Sequence, residues 1–181
     1  MLYLPSRIFF GENALTEAEP YLIKLGNKPL IVTGKSSAKL SGALDELIPV
    51  LKKNNADYAI FDRVEENPCW DTVREGAKFL KDSQCDYLIA IGGGSPLDAA
   101  KAMALITANN LIEEDNITPD KFSHTLPLVA IPTTAGTGSE VTQYSVLTNA
   151  ETKIKAGFGH ECAFPVLALD DAKYTLSLSP K

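Results

Sequence analysis

Apolar residues gather in short bunches along this chain, and the spacing between them changes from bunch to bunch. Continuous runs occur at LIVTG (30–34), DYAIF (57–61), Tyr87–Ile91, LPLVAIP (126–132) and VLALD (166–170). Short runs without alternation suit strands buried on both faces of a parallel sheet. Another short strand is predicted from Arg7 to Phe10, closed by Gly11. Helical spacing fills the intervals. Residues 12–26 read as a helix ending at Gly26. A second, capped by Ser36 or Ser37, runs to about Lys53 with Leu40, Leu44, Leu47 and Leu51 on one face. Pro49 is expected to kink it or end it early. A third covers 70–83, with Val73, Ala77 and Leu80 inward. QYSVLTN (143–149) and TKIKAGFG (152–159) alternate like the arms of a β-hairpin. Residues 109–125 are polar and acidic, a loop with one helical turn; there is no internal repeat.

Strands alternating with helices predict an α/β domain with a parallel sheet and helices on both faces. Ligands of such sheets bind outside the carboxyl ends of the strands, near a switch in strand order. Three polar or glycine-rich turns follow strands: Thr33–Ser37, Gly92–Ser95 and Thr133–Ser139. Their spacing does not show that they meet; the fold predicts it.

The most informative of them lies in DYLIAIGGGSPLDAAKAMAL (86–105). Gly92, Gly93 and Gly94 permit a sharp turn and leave no Cβ between backbone and ligand. Ser95 is predicted as the N-cap, Pro96 as the first helical residue, and Asp98 as the partner in a capping box. Free amides and the dipole at a helix N-terminus attract anions, and a nucleotide pyrophosphate is the natural occupant. The plain alternative is a tight, well-capped turn with no ligand. The stretch is neither G-x-G-x-x-G nor a Walker A sequence.

Composition narrows the partners. A net charge of −6 argues against general nucleic-acid binding. No apolar run reaches the roughly 20 residues needed to span a bilayer, and the N-terminus does not read as a signal peptide. Cys69, Cys85 and Cys162 are odd in number and far apart, which suits reduced thiols in a cytoplasmic protein.

A second stretch, AIPTTAGTGSEVT (130–142), offers hydroxyls and free amides directly after a strand. Alone it reads equally as a solvated loop. Together, GGGSPLDAAKAMAL and IPTTAGTGSEVT resemble the iron-containing (group III, metal-dependent) alcohol dehydrogenase family. LPSRIFFGENAL, ENPCWDTVREGAKFL (66–80), KIKAGF (153–158) and the VLALDD–LSLSP ending also fit, so the likeness covers the whole chain. It implies a Rossmann-like NAD(P)-binding domain across residues 1–181, like the N-terminal domain of dehydroquinate synthase. In the full family, an all-helical metal-binding domain follows.

Carried across by the resemblance, Gly93, Gly94, Ser95 and Asp98 would hold the pyrophosphate. Thr133, Thr134 and Thr142 would meet the ribose and nicotinamide portions, and Lys155 the nicotinamide ribose; Asn67 and Val146 are weaker transfers. Helix capping alone for Asp98, and a solvated hairpin cation for Lys155, are the plainer readings. Where many NAD-preferring members carry an aspartate after the LIVT strand, this chain has Gly34, then Lys35, Ser36 and Ser37. An acid there would repel a 2′-phosphate, whereas these residues favour NADP(H) over NAD. Gly34 easing a turn that accepts either cofactor is the alternative.

Family members hold a divalent metal, iron or zinc, through one aspartate and three histidines beyond the point matching Lys181. Here only His124 and His160 occur, in no metal-binding spacing, and each reads as a solvated loop histidine. No catalytic or metal residue is therefore expected in this chain. It reads as the cofactor-binding half of an oxidoreductase passing a hydride between NAD(P)(H) and a metal-bound alcohol or aldehyde. By itself it should be nearly inactive, and the apolar face uncovered by truncation would allow a homo-oligomer. Two alternatives stay open: a stand-alone nucleotide-binding or assembly module, and a polyol-phosphate dehydrogenase or dehydroquinate synthase relative.

Overall fold

The computed structural model describes residues 3–178. Its elements follow in the order β1 (Arg7–Phe10), α1 (Ala14–Leu22), β2 (Pro29–Thr33), α2 (Ser37–Leu40), α3 (Ala43–Lys53) and β3 (Ala59–Phe61). Next come α4 (Trp70–Asp82), β4 (Tyr87–Gly92), α5 (Gly94–Ala108), β5 (Leu128–Pro132), β6 (Tyr144–Thr148), β7 (Lys155–Gly159) and β8 (Leu167–Asp170). Six strands form one parallel sheet in the order β1-β8-β5-β4-β2-β3, and β6 and β7 form a separate antiparallel hairpin. The last residues of the LSLSP ending, 179 and 180, lie outside the described residues.

Every residue of β2, β4 and β5 is buried, because helices cover both faces of the sheet. On one face Leu30, Leu88 and Ala130 pack with Val73 and Leu80 of α4 and with Met103 of α5. On the other, Ile31, Ile89 and Ile131 meet Leu15 and Leu22 of α1 and Leu47 of α3. Alternate residues of one strand thus feed two cores, each fully buried aliphatic chain being worth about 1.5–3 kcal/mol. The hairpin docks beside α4 and α5: Phe158 stacks on Trp70 with centroids 5.3 Å apart, and Ser145 Oγ donates to the Asp98 carbonyl at 2.8 Å.

Chain direction across the sheet reverses between β2 and β4. After β2 the chain enters the α2–α3 layer, and after β4 it enters α5 on the opposite face. The two turns diverge there and leave a cleft at the carboxyl ends of the strands, where such sheets bind ligands.

Four local expectations need correction. The first helix is shorter than 12–26, because the chain passes into turns at Ile23–Leu25 and Gly26 folds against Asp86. The second is broken: Gly42, at φ +79°, separates α2 from α3. Pro49 does not end α3, which continues to Lys53; proline removes one N–H, and the surrounding apolar face still packs. Finally, α5 begins at Gly94, so Ser95 lies in its first turn and not at the N-cap.

Candidate functional site

The three turns singled out in the sequence do meet. An open cleft of about 570 Å³ is lined by Gly34–Ser37 after β2, by Gly93–Pro96 at the start of α5, and by Thr134 after β5, with Val64–Glu66 along its rim. Its floor is backbone, because each glycine faces a neighbouring turn closely. Gly92 has φ +149°, and a Cβ there would lie 2.7 Å from Pro96 and 3.3 Å from Ser37 Oγ. A Cβ on Gly93 would meet Thr134 at 3.3 Å, and one on Gly94 would meet Thr137 Cγ2 at 2.8 Å. A side chain at 92 would strain the backbone, and one at 93 or 94 would crowd Thr134 or Thr137. The N-terminal amides of α5 open onto this cleft, the setting in which a helix binds anions.

Ser95, Asn67 and Lys155 are brought together from three parts of the chain. The Asn67 amide donates to Ser95 Oγ at 3.2 Å, and Lys155 Nζ donates to Asn67 Oδ1 at 2.6 Å. Asn67 occupies the left-handed region, φ 56°, a conformation asparagine tolerates better than most residues. Lys155 is therefore not a free hairpin cation; it leans toward the glycine turn.

Other predicted residues lie elsewhere. Thr133 is buried at the end of β5, its amide donating to the Gly92 carbonyl at 2.9 Å. Asp98 departs most from expectation: it closes no capping box and turns toward the hairpin. Its Oδ1 accepts from Ser139 Oγ at 2.5 Å and its Oδ2 from the Val146 amide at 3.0 Å. One turn into a helix flanked by β6, a carboxylate finds stronger donors across the interface than along its own backbone. Thr142 ends the 3₁₀ turn Ser139–Val141, with its hydroxyl 3.4 Å from Lys101 Nζ. Val146 stands half-exposed on β6.

Lys101 is a residue that the sequence pattern does not single out, yet it is fully buried and bonded to Ser139 and to the Tyr144 carbonyl. A lone lysine in the otherwise apolar run AAKAMAL is its only signal. Glu65 sits near the cleft, but its carboxylate accepts from Thr72 Oγ1 and from the Cys69 amide, which caps α4. Partial burial pulls its pKa upward, and those bonds outweigh the pull and hold it below the ordinary value.

His124 is exposed, as expected. His160 is not a solvated loop residue: it is half-buried, and its Nδ1 accepts from the Cys162 amide at 3.3 Å, capping a 3₁₀ turn. Among the described residues no group of three or more His, Cys, Asp or Glu side chains is placed to hold a metal ion. The residues present do not fit one. Cys69, Cys85 and Cys162 are all free thiols. No described helix is long and apolar enough to cross a membrane.

Against known proteins, the model of the family described as iron-containing alcohol dehydrogenase matches residues 5–172. NADH-dependent butanol dehydrogenase A of Clostridium acetobutylicum is 34% identical over 97% of this chain and 45% of its own length. NADPH-dependent butanol dehydrogenase of Clostridium saccharobutylicum is 32% identical over 98% of this chain and 46% of its own. A crystal structure of an iron-containing alcohol dehydrogenase superposes with a TM-score of 0.90 at 44% identity, over 99% of this chain and 49% of that one. The chain thus spans about half the length of the relatives it matches.

Proposed function

This chain belongs to the iron-containing alcohol dehydrogenase family, and we propose that it forms the NAD(P)-binding half of an oxidoreductase acting on alcohols or aldehydes. The reading is carried by one observation: the glycine turn at the start of α5 packs closely on Ser37, Thr134 and Thr137, and at Gly93 and Gly94 it presents backbone alone to the cleft. Gly93, Gly94 and Ser95 would hold the pyrophosphate with amides and a hydroxyl at a helix N-terminus. Thr134 would meet the next portion of the cofactor, and Asn67 and Lys155 would close over its nicotinamide end. Asp98, Thr133, Thr142 and Val146 serve on this reading by holding the walls, since their polar atoms already have partners or lie beside the cleft.

When bound, the nicotinamide cofactor donates or accepts the hydride that interconverts alcohol and carbonyl compound. This chain's residues bind and orient it. The described residues supply no metal site, so on this reading ligands for a metal would come from elsewhere, and the described domain alone would have little dehydrogenase activity.

Between the cofactors, NADP(H) is favoured. Gly34 lines the cleft without a carboxylate, beside Lys35, Ser36 and Ser37. Of the two acids on the rim, Glu65 is committed to α4, and Glu66 is exposed to solvent, where its charge is screened. A 2′-phosphate would meet a cation and two hydroxyls there. Names among the relatives include both an NADH-dependent and an NADPH-dependent enzyme.

Titration of the protein with NADPH and NADH, followed by nicotinamide fluorescence, tests the reading. Saturable binding of NADPH, tighter than NADH and abolished in Ser95→Glu, is the expected result. Equal binding by Ser95→Glu would overturn the pyrophosphate assignment.

A further inference from the structure

One charged side chain of α5 has no part in the reading above. Lys101 stands among core residues, and its side chain has no exposed surface. Burying an ammonium is unfavourable unless its donors are satisfied, and here they are. Nζ lies 2.7 Å from Ser139 Oγ, 2.8 Å from the Tyr144 carbonyl oxygen and 3.4 Å from Thr142 Oγ1, with Asp98 Oδ1 at 3.6 Å. Asp98 completes the cluster through Ser139 Oγ and the Val146 amide. Two side chains one helical turn apart therefore grip both the Ser139–Val141 turn and the first arm of the hairpin.

A methionine or leucine would fill the same space with no desolvation penalty of its own, but it would leave Asp98 and the Tyr144 carbonyl without their donor. Packing alone does not call for a lysine. What the ammonium adds is direction, since one atom fixes acceptors from Ser139, Thr142 and Tyr144 at once. Burial pulls Lys101 down to about 8, against the opposing pull of Asp98 and Glu140, so it remains a cation at neutral pH.

We propose that Lys101 is a positioning residue for the cleft: by holding Ser139, Thr142 and the Tyr144 carbonyl against α5, it fixes where the hairpin presents Lys155 to Asn67 and Ser95. The effect on cofactor rests on the NAD(P) reading. The effect on the hairpin does not.

Lys101→Met keeps most of the side chain's length and removes the charge. The expected result has three parts. The melting temperature falls, because the Tyr144 carbonyl and Asp98 lose their donor, while the protein stays folded. NADPH binds about tenfold more weakly, the scale of one lost charge-assisted contact. Amide hydrogen exchange at Val146 and through β6 and β7 speeds up, while β4 and β5 keep their protection. Ser139→Ala, which leaves the charge in place, should shift affinity and hairpin exchange in the same direction and by less. A folded Lys101→Met with wild-type affinity and wild-type hairpin exchange would overturn the proposal. Loss of the fold in both variants would do so too, by assigning Lys101 to the core.

Absence of NADPH and NADH binding in the unmodified protein would count against the cofactor reading alone. In that event hairpin exchange still decides the matter: faster exchange in Lys101→Met supports positioning, and unchanged exchange refutes it.

Discussion

Lys155 Nζ reaches Asn67 Oδ1 across 2.6 Å, although 88 positions separate the two residues. The bond spans the hairpin and the loop ahead of α4, and through the Asn67 amide it continues to Ser95 in the glycine turn. It is solvent-exposed, so it contributes no more than about 1 kcal/mol to stability. Its value lies in placing a cation at the mouth of the cleft. Lys155→Met should leave the melting temperature within a degree or two, yet weaken NADPH binding by about fivefold to tenfold. Equal affinities of variant and parent would remove Lys155 from the site.

At Gly34 a side chain can enter with a small adjustment, because the nearest atom, the Val64 carbonyl oxygen, lies 3.3 Å from where a Cβ would stand. Gly34→Asp would set a carboxylate beside Lys35 and Ser36. Repulsion should cut NADPH affinity by about tenfold or more while NADH holds or gains, since an acid accepts bonds from ribose hydroxyls. Competition titrations with both cofactors measure the ratio. An unchanged ratio would mean that specificity is set elsewhere.

Within the glycine turn, Gly92 is the position at which a side chain strains the backbone itself. At φ +149°, with Pro96 Cγ 2.7 Å from a new Cβ, Gly92→Ala combines an unfavourable dihedral with a clash. Destabilisation of about 1–3 kcal/mol is expected in urea unfolding. A variant as stable as the parent would show that the turn can adopt another path.

Half-buried Asp170 and buried Lys101 make stability depend on pH, with opposite signs. Burial, with Glu140 nearby, pushes Asp170 up to about 6 from 3.8. The folded state then holds this proton more tightly than the unfolded chain, so the contribution is full below 3.8 and is lost as pH rises through about 6. Asp170→Asn should match the parent in acid and exceed it above that range by about 1 kcal/mol, allowing for solvent at a half-buried site. A gap independent of pH would refute the titration.

Lys101 acts with the reverse sign. Its folded value, about 8, lies below the ordinary 10.5, so between them the unfolded chain binds more protons and stability rises with pH. That rise should vanish in Lys101→Met, as read from unfolding midpoints across this interval. Its persistence in the variant would assign the slope to another group.

Local pattern reveals the strands because sheet burial on both faces leaves an uninterrupted apolar run, as in Leu88–Ile91. The glycine turn is legible for a similar reason, since three residues without Cβ have few other uses. The hairpin shows through its alternation. What escapes the sequence is the set of relationships between distant segments. Asp98 looks like a helix cap until β6 arrives with the Val146 amide, and no spacing along the chain announces that meeting. Lys101 likewise takes its meaning from Ser139 and Tyr144, 38 and 43 positions away. Gly42 is readable as a breaker, but the amphipathic pattern on either side of it hides the break.

The strand order carries a consequence for how the chain comes together in time. β1 pairs with β8, and the Asn13 amide bonds to Asp171 across 158 positions. A growing chain therefore emerges with its first strand unmatched, and Phe9 and Phe10 wait for β8, which is synthesised after β5. Such long-range closure is slow relative to local contacts. The middle strands β2, β4 and β5 can assemble earlier, leaving β1 and β8 to join the sheet together.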